Sequence, residues 1–367
     1  MLASEAPGSD EDLLIPRAQV RDAIASYCSP NRYAGRMVLV TGGTGAGKPT
    51  VAKTAFANQK GVIYTSLRPS CAEAPFLVES WAAAVLKELG MQDQVQEWDN
   101  PLDLCPIFII DVDARFYSSQ QLKSRLLEKL LFTSKRLSTD AYLADFVIVL
   151  SAATAAAGLR SNVGDLRFWE VDIGDLNKGK AEQYIHLALA KWRAAQLSTS
   201  SVNFNLKAGV ESTVLTDEEE KQLVADAIAQ CGTRVDLLER LCHSQWPSCR
   251  TREELERVTV EVAATAQRDA VRAWKKFMSL LPATTSKNRA QQLAFLRRVV
   301  ESSTCEVTSL DAADAFGTSW QEFVLANAQT IPVHPFIMSI SAMGVQADSV
   351  LMRRAMEQQI AMWEKEH

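Results

Sequence analysis

From residue 37 to residue 171, short, near-continuous apolar runs alternate with stretches whose apolar residues recur at helical spacing. Five runs, at 37–41, 62–66, 107–111, 146–151 and 168–171, have the length and continuity of parallel strands covered on both faces. Helical spacing marks 48–59, 75–90 and 119–136, the last through Leu122, Leu126, Leu127, Leu130 and Leu131. Gly61, Pro69, Pro101 and Pro106 punctuate the alternation. The pattern predicts an α/β unit with a parallel sheet and crossover helices.

Beyond about residue 176 the strand signal fades and the chain reads helical. Two pairs, Thr216/Glu219 and Thr251/Glu254, have the spacing of capping boxes, in which a hydroxyl and a carboxylate satisfy orphan helix donors reciprocally. A long helix over 251–278 carries Leu255, Val258, Val262, Ala266, Trp274 and Phe277 on one stripe, the pattern of a core-packing helix. The polar stretch 198–214 is expected to be a surface excursion between helices, and a short β-like patch covers 331–340. The expected organisation is a disordered acidic N-terminus (1–15), an α/β domain (16–176), a helical segment (177–281) and a mainly helical C-terminal domain (282–367).

Composition narrows the classes. Hydrophobic residues make up 47% of the 367 residues and charged residues 23%, which is enough apolar area for a core. A net charge of −5 supplies no protein-wide positive field for nucleic acid or anionic lipid. Seven cysteines without a Cys-x-x-Cys pair suit reduced core thiols in an intracellular, most simply cytoplasmic, protein. No signal or transit segment is legible in 1–12, and the charge-free run 146–159 is too short to span a bilayer as a helix. No membrane span is expected.

The chemistry sits in Gly42-Gly43-Thr44-Gly45-Ala46-Gly47-Lys48, which follows an apolar strand and opens an alanine-rich helix. This is the order of a P-loop: glycines admit turns that bring consecutive N–H groups onto phosphates, and the lysine reaches the terminal phosphates. The pattern calls for Ser or Thr next, where a hydroxyl binds Mg²⁺, but the chain has Pro49. Proline is tolerated in the first helical turn, so the loop can still form. Thr50 is the nearest hydroxyl, one residue out of register. The bound group is expected to be ATP with Mg²⁺, and the proline weakens Mg²⁺-dependent hydrolysis more than binding.

The run 106–113 ends in carboxylates, Asp111 and Asp113, as a Walker B strand does. Asp111 would hold Mg²⁺ and Asp113 would orient the attacking water. Ser151, at the end of the 146–151 strand, would lie beside the γ-phosphate. Arg167, and behind it Arg160, are candidate arginine fingers for a neighbouring subunit. Two decoys fail on chemistry: Asn177-Lys178-Gly179-Lys180 lacks the carboxylate that reads guanine, and Cys242, His243 and Cys249 fit no zinc spacing.

With the 168–176 strand and the helix after it, these elements resemble the AAA+ and STAND-type ATPases, nearest to their archaeal-ATPase-like branch, over roughly residues 15 to 245. A fainter likeness extends to mitochondrial escape proteins. The resemblance implies a three-layer P-loop sandwich in which the Walker B strand lies next but one to the nucleotide strand. It implies a helical lid whose Cys231-Gly232-Thr233-Arg234 segment brings a sensor arginine, Arg234, to the phosphates; the competing expectation is an exposed first-turn arginine. It also implies a winged-helix-like end beyond Pro282.

On this basis the leading function is an ATP-dependent conformational switch with slow hydrolysis, acting on a protein partner, or on nucleic acid through the C-terminal domain, with self-association possible. A degenerate, non-hydrolysing scaffold is the alternative that Pro49 favours. A small-molecule kinase would require an arginine-rich lid, which the scattered basic residues do not form.

Overall fold

The computed structural model describes residues 17–28, 36–43, 45–57, 59, 61–67, 106–112, 130–140, 144–150, 168–202, 215–280, 286–302, 307–316, 336–338, 345–347 and 349–365. The chain divides into two compact units. One comprises residues 18–174, 273–348 and 356–367, and the other 1–17, 175–272 and 349–355.

The first unit is built on a five-stranded parallel sheet: β1 (Met37–Gly42), β2 (Val62–Leu67), β3 (Ile107–Val112), β4 (Asp145–Leu150) and β5 (Trp169–Ile173). Their order is β2-β3-β4-β1-β5, with every neighbouring pair parallel. The central strands β1 and β4 are buried along their whole length, which is why they read as unbroken apolar runs. On one face, α1 (Ala18–Tyr27) and α2 (Lys48–Ala55) pack through Ile24, Val51, Ala52 and Phe56 onto Val38, Val40, Ile109 and Val147.

Edge strand β5 departs from the expected continuous run. Val171 and Ile173 are buried, whereas Glu170 and Asp172 alternate with them on the opposite face. A strand at a sheet edge needs only one apolar face. Trp169, on the apolar side, stacks on Tyr27 of α1 with ring centroids 4.8 Å apart.

Helix α2 ends at Ala55, short of the expected 59, and Phe56 caps it by donating its N–H to the Lys53 carbonyl. Of the expected helix 119–136, residues 130–135 are helical and pass into a wider turn over Arg136–Asp140. The expected helix at 75–90 lies outside the described residues.

The second unit is helical: α3 (Lys178–Val202), α4 (Asp217–Cys231), α5 (Val235–Glu239) and most of α6 (Arg252–Leu280). Helix α3 runs through 198–202, where a surface excursion was expected; 203–214 lie outside the described residues. Buried Ile185, Trp192, Leu238, Trp246 and Leu255 form the core. Both buried indoles are satisfied: Trp192 Nε1 donates to the Cys249 carbonyl at 2.8 Å and Trp246 Nε1 to Thr259 Oγ1 at 3.3 Å.

At Thr216/Glu219 the capping box is complete. At Thr251 only half forms, because Glu254 accepts from the N–H of Arg250 (2.6 Å) while Thr251 Oγ1 accepts from that of Glu254.

Helices α7 (Ser286–Glu301) and α8 (Ser309–Phe316) belong to the sheet-bearing unit. Phe295 and Phe316 pack edge to face beside Phe277 and Trp274 from the end of α6. Strands β6 (Phe336–Met338) and β7 (Val345–Ala347) pair antiparallel within the span of the expected β-like patch and just beyond it. They are followed by α9 (Val350–Lys365). Among the described residues, no helix is long and apolar enough to cross a membrane.

Candidate functional site: the glycine loop and its acidic strand

The loop leaves β1 through Gly42, whose φ of 141° is closed to residues with a β-carbon. Space closes it again: a Cβ there would lie 2.2 Å from the Ile173 carbonyl oxygen on β5. Gly45 and Gly47 are left-handed at φ 78° and 79°, and Gly47 is the N-cap of α2. The turn is closed by the Ala46 N–H donating to the Gly43 carbonyl at 3.2 Å, and the helix begins with Val51 N–H donating to Gly47 at 3.1 Å. Pro49 sits in the first helical turn, where its missing N–H has no intrahelical partner to lose.

Lys48 is the buried cation of this turn. Its Nζ donates to the carbonyls of Gly42 (3.0 Å) and Gly43 (2.8 Å). Of the nine loop residues expected to hold nucleotide, Gly42, Gly43, Gly45, Ala46, Gly47, Lys48, Pro49 and Thr50 are described and Thr44 is not; Thr50 is exposed.

Two carboxylates that sequence reasoning passed over lie close by. The buried hydroxyl of Thr41 is 3.3 Å from both Glu170 Oε1 and Asp172 Oδ1 and can donate its single proton to one at a time. Desolvation raises the Asp172 pKa even though part of the residue is exposed. The Thr41 bond and the Lys48 charge oppose that rise, and Glu170 reinforces it. The signal was present in the two-residue spacing of Glu170 and Asp172 within an apolar strand.

Asp111 stands at the end of β3 with β4 between it and β1, as expected for a Walker B strand. Its Oδ2 accepts from the Tyr64 hydroxyl on β2 at 3.0 Å, and Lys53 Nζ of α2 lies 3.9 Å from the centroid of the same tyrosine ring. Neither Tyr64 nor Lys53 was legible, because their meeting depends on the β2–β3 register. Asp113, Ser151, Arg160 and Arg167 lie outside the described residues.

In the helical unit Arg234 is the N-cap of α5. It is buried at 6% exposure, not the exposed first-turn arginine of the competing expectation, and its Nε donates to Asp175 Oδ1 at 3.0 Å. Asp236 beside it has a pKa raised by burial and partly restored by the Arg234 charge.

The residues present fit a polyphosphate: a left-handed glycine turn at a helix N-terminus, with a buried ammonium donating to two carbonyls that a phosphate oxygen can replace, is an anion cradle. They also fit Mg²⁺ of the kind that relies on one carboxylate plus phosphate and water oxygens. Among the described residues no group of three or more His, Cys, Asp or Glu is placed to hold a metal by itself.

No protein-family model matches the chain, and no curated protein matches it significantly. Solved structures do match by fold. The Walker-type ATPase of Pyrococcus abyssi, 11% identical, is covered over 100% of its length by 97% of this chain, with a TM-score of 0.50. The ORC2 protein of Aeropyrum pernix, solved as ADPNP and ADP complexes, is 13% identical with 96% of each chain covered and a TM-score of 0.43. AMPPCP-bound DnaA from Aquifex aeolicus is 15% identical, with 96% of this chain and 94% of that one covered and a TM-score of 0.37. The fold is an α/β P-loop fold shared with that Walker-type ATPase: an all-parallel sheet with the acidic strand next but one to the loop strand, followed by helical segments.

Proposed function

We propose that the chain binds ATP on the Gly42–Thr50 loop and works as a nucleotide-dependent switch with slow hydrolysis. The observation that carries this reading is Lys48, buried in a turn of left-handed glycines with its ammonium on the Gly42 and Gly43 carbonyls. The fold shared with a Walker-type ATPase supports it.

ATP phosphates would exchange for those carbonyls at Lys48 and accept from the loop N–H groups. Asp111 would hold Mg²⁺, which when bound neutralises charge on the β- and γ-phosphates. Thr50 is the candidate second oxygen for the metal. Asp113 and Ser151 are proposed to orient water and sense the γ-phosphate, with Arg234 and Arg167 as the arginines that stabilise it. The output would go to a protein or nucleic-acid partner, in a self-associated form or alone.

Pro49 favours a second reading, a degenerate, non-hydrolysing P-loop scaffold for protein–protein interaction, because it removes the hydroxyl that would ligate Mg²⁺. Titration calorimetry with ATP and ADP, with and without Mg²⁺, followed by ADP release, separates the two. The switch reading expects saturable ATP binding, slow turnover by wild type and faster turnover by Pro49→Ser. Binding without turnover in wild type establishes the scaffold; no saturation at millimolar ATP or ADP removes both. Phosphoryl transfer to a labelled small-molecule acceptor would indicate a kinase instead.

A further inference from the structure

The hydroxyl that meets Asp111 comes from an unexpected place. A P-loop motif supplies one directly after its lysine, and here that position is Pro49. Among the described residues an O–H does reach the acidic strand: the phenol of Tyr64, from the strand on the far side of β3. Parallel pairing of β2 with β3 sets Ser66 opposite Asp111. Tyr64, two residues earlier, therefore lies on the same face as Asp111, and its long side chain covers the remaining distance to donate to Oδ2 at 3.0 Å.

The phenol is itself held from the side of the loop. Lys53 follows Lys48 on α2, and its ammonium lies over the Tyr64 ring at 3.9 Å from the centroid. A cation over the face of the ring draws electron density from the oxygen and makes the O–H a stronger donor. One helix thus carries two lysines with different tasks: Lys48 in the glycine turn, and Lys53 on the aromatic ring that restrains the acidic strand's carboxylate.

A carboxylate with one oxygen engaged by a phenol is restrained in its rotamer. Partners of this kind behind a metal ligand set its orientation and basicity. We propose that Tyr64, braced by Lys53, is a positioning residue that orients Asp111 for Mg²⁺ bound with nucleotide, in a loop whose own hydroxyl position is a proline. The assignment rests on the proposed function, since it concerns how Mg²⁺ joins a bound nucleotide.

The test is calorimetric ATP titration across a Mg²⁺ series, reading the Mg²⁺ concentration that gives half of the affinity gain. For Tyr64→Phe the expected result is a rise of about tenfold or more in that concentration. ATP affinity in EDTA and the melting temperature should stay at wild-type values, which a general structural defect would not allow. Lys53→Met, a change at an exposed position, should shift the same quantity in the same direction by a smaller factor.

An unchanged or lowered Mg²⁺ requirement in Tyr64→Phe, with wild type showing a clear Mg²⁺ gain, overturns the assignment and leaves the nucleotide reading intact. Absence of ATP binding by wild type overturns both. Should Tyr64→Phe fail to fold, Lys53→Met decides alone, and no shift there overturns the assignment.

Discussion

Asp145, at the foot of β4, carries a cost that its neighbours only partly offset. It is buried, accepts the Arg36 N–H at 2.7 Å, and has a pKa raised by desolvation to about 6. Because the folded value lies above the unfolded one, the folded chain holds a proton between roughly pH 4 and 6 that the unfolded chain has lost. Stability from this group therefore falls as pH rises through that window and is level above it. Asp145→Asn retains an acceptor for Arg36 and removes the titration. Denaturant unfolding of both proteins should show the wild-type-minus-variant stability dropping by on the order of 2–3 kcal/mol between pH 4 and 6.5, then staying flat. A pH-independent difference would remove Asp145 as the cause.

At the scale of elements, α4 is secured at both ends by groups near it in sequence or in the same unit. Thr216 and Glu219 close its N-terminus, with Thr216 N–H donating to Glu219 Oε2 at 2.8 Å. At the other end the Arg354 guanidinium of α9 donates to the carbonyls of Ala229 and Gln230, where a cation complements the helix dipole. Thr216→Ala should cost about 1 kcal/mol, read as a lower denaturant midpoint with an unchanged slope.

The N-terminal cap was legible because both partners lie within four residues. The Arg354 cap was not, since it joins residues more than a hundred positions apart. Strand existence was legible for the same local reason: β1, β3 and β4 are continuous apolar runs because both of their faces are covered. Register was not, and register is what puts Tyr64 on Asp111 and Thr41 between Glu170 and Asp172. The glycine turn could be read outright, since its conformations are closed to other residues. The arginines meant to complement it could not, because an arginine looks the same in sequence whether it is solvated or, like Arg234, buried on an aspartate.

On the scale of the whole molecule, the chain holds separate cores in its two units, one around the sheet and one around Trp192 and Trp246. The proposed ligand has its loop, its lysine and its acidic strand in the sheet-bearing unit. Saturation at a hundred times Kd should stabilise that unit by about 2.7 kcal/mol. Hydrogen exchange should report the gain as slowed exchange in β1, α2 and β3, and equal exchange with and without ATP in these elements would contradict nucleotide binding there.

Lys48 has one further consequence. If the proposed nucleotide binds there, a receptacle made of main-chain amides and an ammonium would recognise charge and spacing and be blind to the purine or pyrimidine at the far end of the ligand. Discrimination between bases would then be delegated to other side chains, and the preferred base could change without altering a residue of the turn.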